Sequence, residues 1–181
     1  MPEAQPPSFQ PQDIIAALAR HGVEYVLIGG FAAVAHGAPH ITNDLDITPN
    51  DDLDNLDRLS AALEDLDARV RADHEGVKTF EFRHDAASIK RQAILNLTTR
   101  AGNLDVTFVP SGTSGYRDLR RDAVEISVDG VPVVVASLAD VIRSKEAANR
   151  PKDRAALPVL RRLLEEQFED RRRQRKGGSR R

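Results

Sequence analysis

Two hydrophobic periods alternate along the chain, and the changes between them mark out the elements. From Asp13, residues Ile14, Ile15, Leu18 and Ala19 share one side of a helix, and Gly22 supplies its stop. Val23 to Ile28 is a short apolar run rich in β-branched and aromatic residues, which predicts a buried strand. Gly29-Gly30 breaks it, and Phe31 to His36 reads as a short helix ended by Gly37 and Pro39. Leu45 to Thr48 is the next strand. Leu53, Leu56, Leu59, Leu63, Leu66 and Val70 then recur at spacings of 3, 3, 4, 3 and 4, which predicts one long helix. Asp51, Asp52 and Asp54 fall in its first turn, where the helix dipole favours acids.

Strands are expected at Val77–Phe82, Ala93–Thr98 and Leu104–Val109. In the last of these Leu104, Val106 and Phe108 alternate with Asp105 and Thr107, a half-buried pattern. Glu125–Val128 and Val131–Val135 flank Asp129-Gly130, a dipeptide suited to a hairpin turn. Ser137 and Asp140 form a capping pair ahead of Leu138, Val141 and Ile142. Pro151 suits the first position of a further helix, and Pro158 is expected to kink or restart it. Leu160, Leu163, Leu164 and Phe168 give the last apolar stripe. The sum is a mixed α/β (α+β) domain, a central sheet flanked by helices, with helices at its C-terminal end.

Composition narrows the function classes. At 181 residues there is room for one domain. Four prolines within residues 1–12 predict a flexible leader, residues 13–168 the domain, and residues 169–181 a disordered basic tail. The absence of cysteine excludes a disulfide framework, a thiol nucleophile and Cys-ligated metals. No apolar stretch is long enough to span a membrane, and Met1 to Gln12 lacks the pattern of a secretory signal, so the cytoplasm is expected. The net charge of −2 hides an asymmetry: residues 171–181 carry seven bases and no acid, leaving 19 bases against 28 acids, or −9, elsewhere. Such a tail suits salt-dependent contact with nucleic acid.

The chemistry centres on Asp44 and Asp46. In a strand their side chains project together while Leu45 faces inward. Two carboxylates so close repel, and a divalent cation such as Mg2+ relieves the conflict. Asp105 supplies a third carboxylate if its strand pairs beside Leu45–Thr48. Three such groups can hold two ions that clamp an in-line displacement. Gly29-Gly30 lets backbone approach a phosphate closely at the start of the following helix. The pattern is neither the three-glycine dinucleotide fingerprint nor a P-loop. His36 and His40 read as a helix-end and a loop histidine rather than catalytic groups.

The stretch Leu27–Ile47, LIGGFAAVAHGAPHITNDLDI, resembles the signature of the polymerase-β-type nucleotidyltransferase superfamily, and within it the toxin group related to AbiEii. Gly29-Gly30, His36-Gly37 and Thr42-x-Asp44-hydrophobic-Asp46 carry the resemblance. Lys145 falls where that group places a basic residue for the triphosphate, and Arg150-Pro-Lys-Asp153 resembles its Lys-Asp motif. His40 replaces a frequent arginine, and Gly30 a frequent serine. A turn near Asn149-Arg150-Pro151 brings Lys145 and Asp153 together.

The resemblance implies a nucleotidyltransferase-type fold and an NTP substrate. It implies two Mg2+ ions (or Mn2+) on Asp44, Asp46 and Asp105, and nucleotide contacts from Gly29, Gly30, Thr42 and Lys145. Asp105 would serve as ligand or base. Lys145 would neutralise triphosphate charge, and Asp153 would orient Lys145 or contact the acceptor. The acceptor would be a tRNA 3′ end, met by the tail, or a protein side chain, with a neighbouring antitoxin as regulator and no membrane partner. Two other readings remain: a small antibiotic-modifying nucleotidyltransferase acting on an aminoglycoside or lincosamide, and a catalytically silent nucleotide- or RNA-binding module.

Overall fold

In the computed structural model residues 8–39, 41–74, 77–80 and 85–178 are described; residues 1–7, His40, 75–76, 81–84 (with the last two residues of the strand expected at Val77–Phe82) and 179–181 lie outside that set. The chain runs α1 (Pro11–Arg20), β1 (Tyr25–Ile28), α2 (Gly29–Ala35), β2 (Asp44–Pro49), α3 (Leu53–Asp65), β3 (Arg69–His74), β4 (Val77–Phe80), α4 (Ala86–Lys90), β5 (Ile94–Thr99), β6 (Gly102–Thr107), α5 (Tyr116–Arg121), β7 (Val124–Val128), β8 (Val131–Val135), α6 (Leu138–Ala148) and α7 (Pro151–Gly178). The strands form one mixed sheet in the order β4-β3-β5-β6-β2-β1-β8-β7. β1 pairs in parallel with β8 and β2 with β6; the other pairings are antiparallel.

At β2 and β6 the core lies against one face of the sheet, whereas Tyr25, Val26 and Leu27 of β1 are buried in succession, so that strand is covered on both faces. Leu45 and Ile47 of β2 and Leu104 and Val106 of β6 are fully buried, as are Ile14, Ile15 and Leu18 of α1 and Leu56, Leu59 and Leu63 of α3. Asn55 locks α3 to the residue that leads into β1: its Oδ1 accepts from Glu24 N at 2.7 Å and its Nδ2 donates to Glu24 O at 2.9 Å. Burial alternates along β6, and Asp44 and Asp46 stand on the face of β2 opposite the core. Period 2 thus puts the acids outside and the branched residues inside.

The structure corrects several expectations. The α3 stripe ends at Asp65, and Val70 belongs to β3. Asp67, at φ 48, turns the chain out of the helix, so the helical spacing of Leu66 and Val70 straddles two elements. α7 continues unbroken through Pro158 rather than restarting there. Pro158 and Arg154 are both exposed, and proline supplies no N–H to the Arg154 carbonyl four residues back. Helix also continues through 169–178, in place of the expected disordered tail. Arg and Lys are good helix formers, and Glu169 pairs with Arg173 one turn on at 3.8 Å. At the other end, α1 begins at Pro11, within the predicted leader, and Gln10 N donates to Ala101 O at 2.9 Å.

Candidate active site

β2 and β6 lie side by side with Asp46 directly across from Asp105 and Asp44 across from Asn103. The expected pairing of these strands is present, and the three acids share the face away from the core. β5 continues the row, with Asn96 across from Asp105.

Each acid of β2 is held by a neighbour. Thr42 Oγ1 donates to Asp44 Oδ1 at 2.8 Å, so its hydroxyl fixes a carboxylate. Gly29, at φ +68, lies against Asp46: a Cβ there would overlap the carboxylate, 2.6 Å from its Cγ. Only glycine fits this close approach. The Gly30 backbone N–H hydrogen-bonds the Asp46 carboxylate. The glycine turn therefore cradles an acid of the site itself.

Electrostatic crowding is visible in Asp46. Burial, then the charges of Asp44 and Asp105, push its carboxyl up to about 7, against the Gly30 N–H and the Lys152 ammonium. Burial likewise raises Asp105, with the Arg71 guanidinium opposing. Arg71 Nη2 donates to Asp105 Oδ1 at 2.8 Å, and both side chains are largely shielded. Among the described residues, no three acid or imidazole groups are gathered closely enough to ligate one ion together. The donor chemistry nonetheless fits a hard divalent cation: oxygen-only carboxylates crowded on one face, one of them costly to ionise without a neutralising charge.

The facing wall comes from the α6–α7 corner. Asn149, in the left-handed region at φ 49, ends α6 and reverses the chain into α7. Asp153, fully buried, accepts from Lys145 Nζ at 3.2 Å and from Arg150 Nε at 2.6 Å. Burial alone would raise its carboxyl, but the bonds from Arg150 and Lys145 outweigh it and hold it below the ordinary range. Asp153 thus positions two cations. Between this corner and the sheet lies a cleft of about 280 Å³, lined by Gly29, Asp46, Thr107, Ser144, Lys145 and Arg150 among others. A second hollow of about 320 Å³ opens beside Lys145 and Lys152 and is lined by Ala33, Ala38, Pro39, Ala156 and Val159.

The structure resembles three solved structures along nearly its whole length. The antibiotic-resistance factor ANT(2'')-Ia in solution matches with a TM-score of 0.50 and 15% identity, over 92% of this chain and 95% of that one. A crystal structure of ANT(2'')-Ia with adenylyl-2''-tobramycin matches with a TM-score of 0.53 and 17% identity, over 85% and 87%. A Thermotoga maritima protein named as a nucleotidyltransferase matches with a TM-score of 0.50 and 14% identity, over 88% and 97%. The chain has the nucleotidyltransferase fold. No protein-family model and no curated protein sequence matches it.

Within this fold, Asp46, Gly29 and Lys145 line one cleft, while Asp44 and Asp105 flank Asp46 on the sheet. Asp153 stands behind Lys145 rather than in the cleft wall. His36 Nε2 lies 2.8 Å from Ala136 O, a structural contact consistent with a helix-end histidine. Three basic residues of the site carry no local signal of their own. Arg150 and Lys152 stand out in the sequence only as parts of a motif, and Arg71 lies in a strand that the hydrophobic pattern conceals.

Proposed function

We propose that this chain transfers a nucleoside monophosphate from an NTP to an acceptor hydroxyl and releases pyrophosphate. One observation carries the reading: in a nucleotidyltransferase fold, Asp46 and Asp105 stand opposite each other on one sheet face, with Asp44 beside them, across a cleft from Lys145 and Arg150. Asp44 and Asp46 would hold Mg2+ or Mn2+, with Asp105 as third donor. When bound, the ions neutralise phosphate charge and lower the barrier to in-line displacement.

The chain's own residues do the rest. Lys145 and Arg150, set by Asp153, bind the β- and γ-phosphates electrostatically. Thr42 fixes Asp44, and the Gly29-Gly30 backbone fixes Asp46. The apolar hollow beside Lys145 offers room for a base. The acceptor oxygen bonds to the α-phosphorus while the bond to the pyrophosphate oxygen breaks, and Asp105 takes the hydroxyl proton.

The favoured acceptor is the 3′ end of a tRNA, with the chain acting as the toxin of a toxin–antitoxin pair. The motif resemblance supports it, as does the exposed run Arg171–Arg173 on α7. A small-molecule acceptor is the second reading, supported by the near full-length similarity to ANT(2'')-Ia. Incubating the protein with each NTP, Mg2+ and either total tRNA or an aminoglycoside panel separates them. Nucleotidylated tRNA supports the first, a modified aminoglycoside the second. Labelling of the protein itself or of another protein alone would replace both with a protein-modifying activity.

A further inference from the structure

Arg71 departs from what its neighbourhood requires. Its strand, β3, is separated from β6 by β5, and continuing the β3–β5 register of Arg69 with Thr98 and Val70 with Leu97 puts Arg71 across from Asn96. Neighbouring strands lie about 4.8 Å apart, so the guanidinium crosses an entire strand to reach Asp105. It arrives at 2.8 Å from Oδ1. The strand pairing sets Asp105 beside Asp46, yet the three carboxylates are not gathered as one ligand set among the described residues. A cation of the chain already holds the third of them.

Resting on the reading above, we infer that Arg71 is a positioning residue that competes with the divalent cation for Asp105. Arginine stays charged at every working pH and forms strong charge-assisted bonds to carboxylates, so an incoming ion cannot displace it by deprotonation. Asp44 and Asp46 therefore provide the permanent part of the metal site. Asp105 joins when the gain from metal and triphosphate together exceeds that of the ion pair. The site binds free metal weakly and loads it fully with the nucleotide.

The test is Mn2+ binding to the full chain, followed by the electron paramagnetic resonance of free Mn2+ at pH 8, without nucleotide. Arg71→Met is expected to bind Mn2+ about ten-fold more tightly than the wild type, the scale of the charge-assisted bond that the ion no longer has to break to engage Asp105. Arg71→Lys keeps the charge and stays within about two-fold. On the Asp105→Asn background, Arg71→Met brings a much smaller gain, because the contested carboxylate is gone. A purely structural role for Arg71 predicts weaker binding, not tighter. Equal or weaker binding by Arg71→Met, with wild-type binding intact and abolished by Asp44→Ala/Asp46→Ala, overturns this inference alone. An absence of Mn2+ binding in every form overturns it together with the metal-site reading it rests on.

Discussion

Asp46 on β2 faces Asp105 on β6 in a parallel register, with neither side chain turned to the core. Parallel neighbours on one pleat face place their side chains within mutual reach. The sheet thus assembles like charges that repel, a local cost characteristic of a site rather than of packing.

That repulsion sets a pH dependence. Asp46 is raised from the ordinary 3.8 to about 7 by burial, Asp44 and Asp105. Its contribution to stability is fully present below the unfolded value and is lost as pH rises through about 7. Replacing it by neutral Asn removes this penalty. In EDTA, Asp46→Asn should gain on the wild type between pH 4 and 7, reaching about 4 kcal/mol and a plateau above. Thermal melts across that range check it; a constant difference would contradict it.

Gly29 and Gly130 make a controlled pair. Both have positive φ, +68 and +83, but a Cβ at Gly29 strikes Asp46 while one at Gly130 meets nothing within 4 Å. Gly130→Ala should cost about 1 kcal/mol and leave activity intact. Gly29→Ala should cost more and remove nucleotidyl transfer, because Asp46 must move. Urea unfolding and turnover of the two variants compare them directly.

Asp153 is buried between two cations, and leaving them without their partner is costly. Asp153→Ala should lose about 3 kcal/mol in chemical denaturation. It should also raise the KM for NTP, since Lys145 and Arg150 lose their anchor. A variant as stable as the wild type would show that the corner is set by the backbone alone.

The basic end of α7 is expected to contact RNA through phosphates. Ending the chain at Asp170 should weaken tRNA binding and flatten its salt dependence, by roughly one unit of slope for each phosphate that is no longer neutralised. An unchanged slope would remove this end of the chain from the acceptor site.

Much of the fold is legible in the sequence. The β2 and β6 alternation, the Gly29-Gly30 break and the Asp129-Gly130 turn each follow from local rules that the tertiary fold does not override. Asp129 and Gly130 do adopt positive φ, at 50 and 83. β3 is hidden because Arg69, Arg71, Asp73 and His74 give it little apolar signal, and Val70 extends the helical spacing of α3. α5 is hidden because Leu119 is its one buried residue. Arg71 cannot be assigned to the site without knowing which strand lies two places from β6. The strand order is set by long-range pairing, which no local pattern encodes.

The most direct measurement supplies the nucleotide labelled either at the α- or at the γ-phosphate, with Mg2+ and total tRNA, to the wild type and to Asp44→Ala/Asp46→Ala. The account predicts that α-label joins the RNA and γ-label leaves in pyrophosphate, and that the double variant does neither. Transfer of γ-label to the acceptor, or transfer that survives loss of both aspartates, would contradict it.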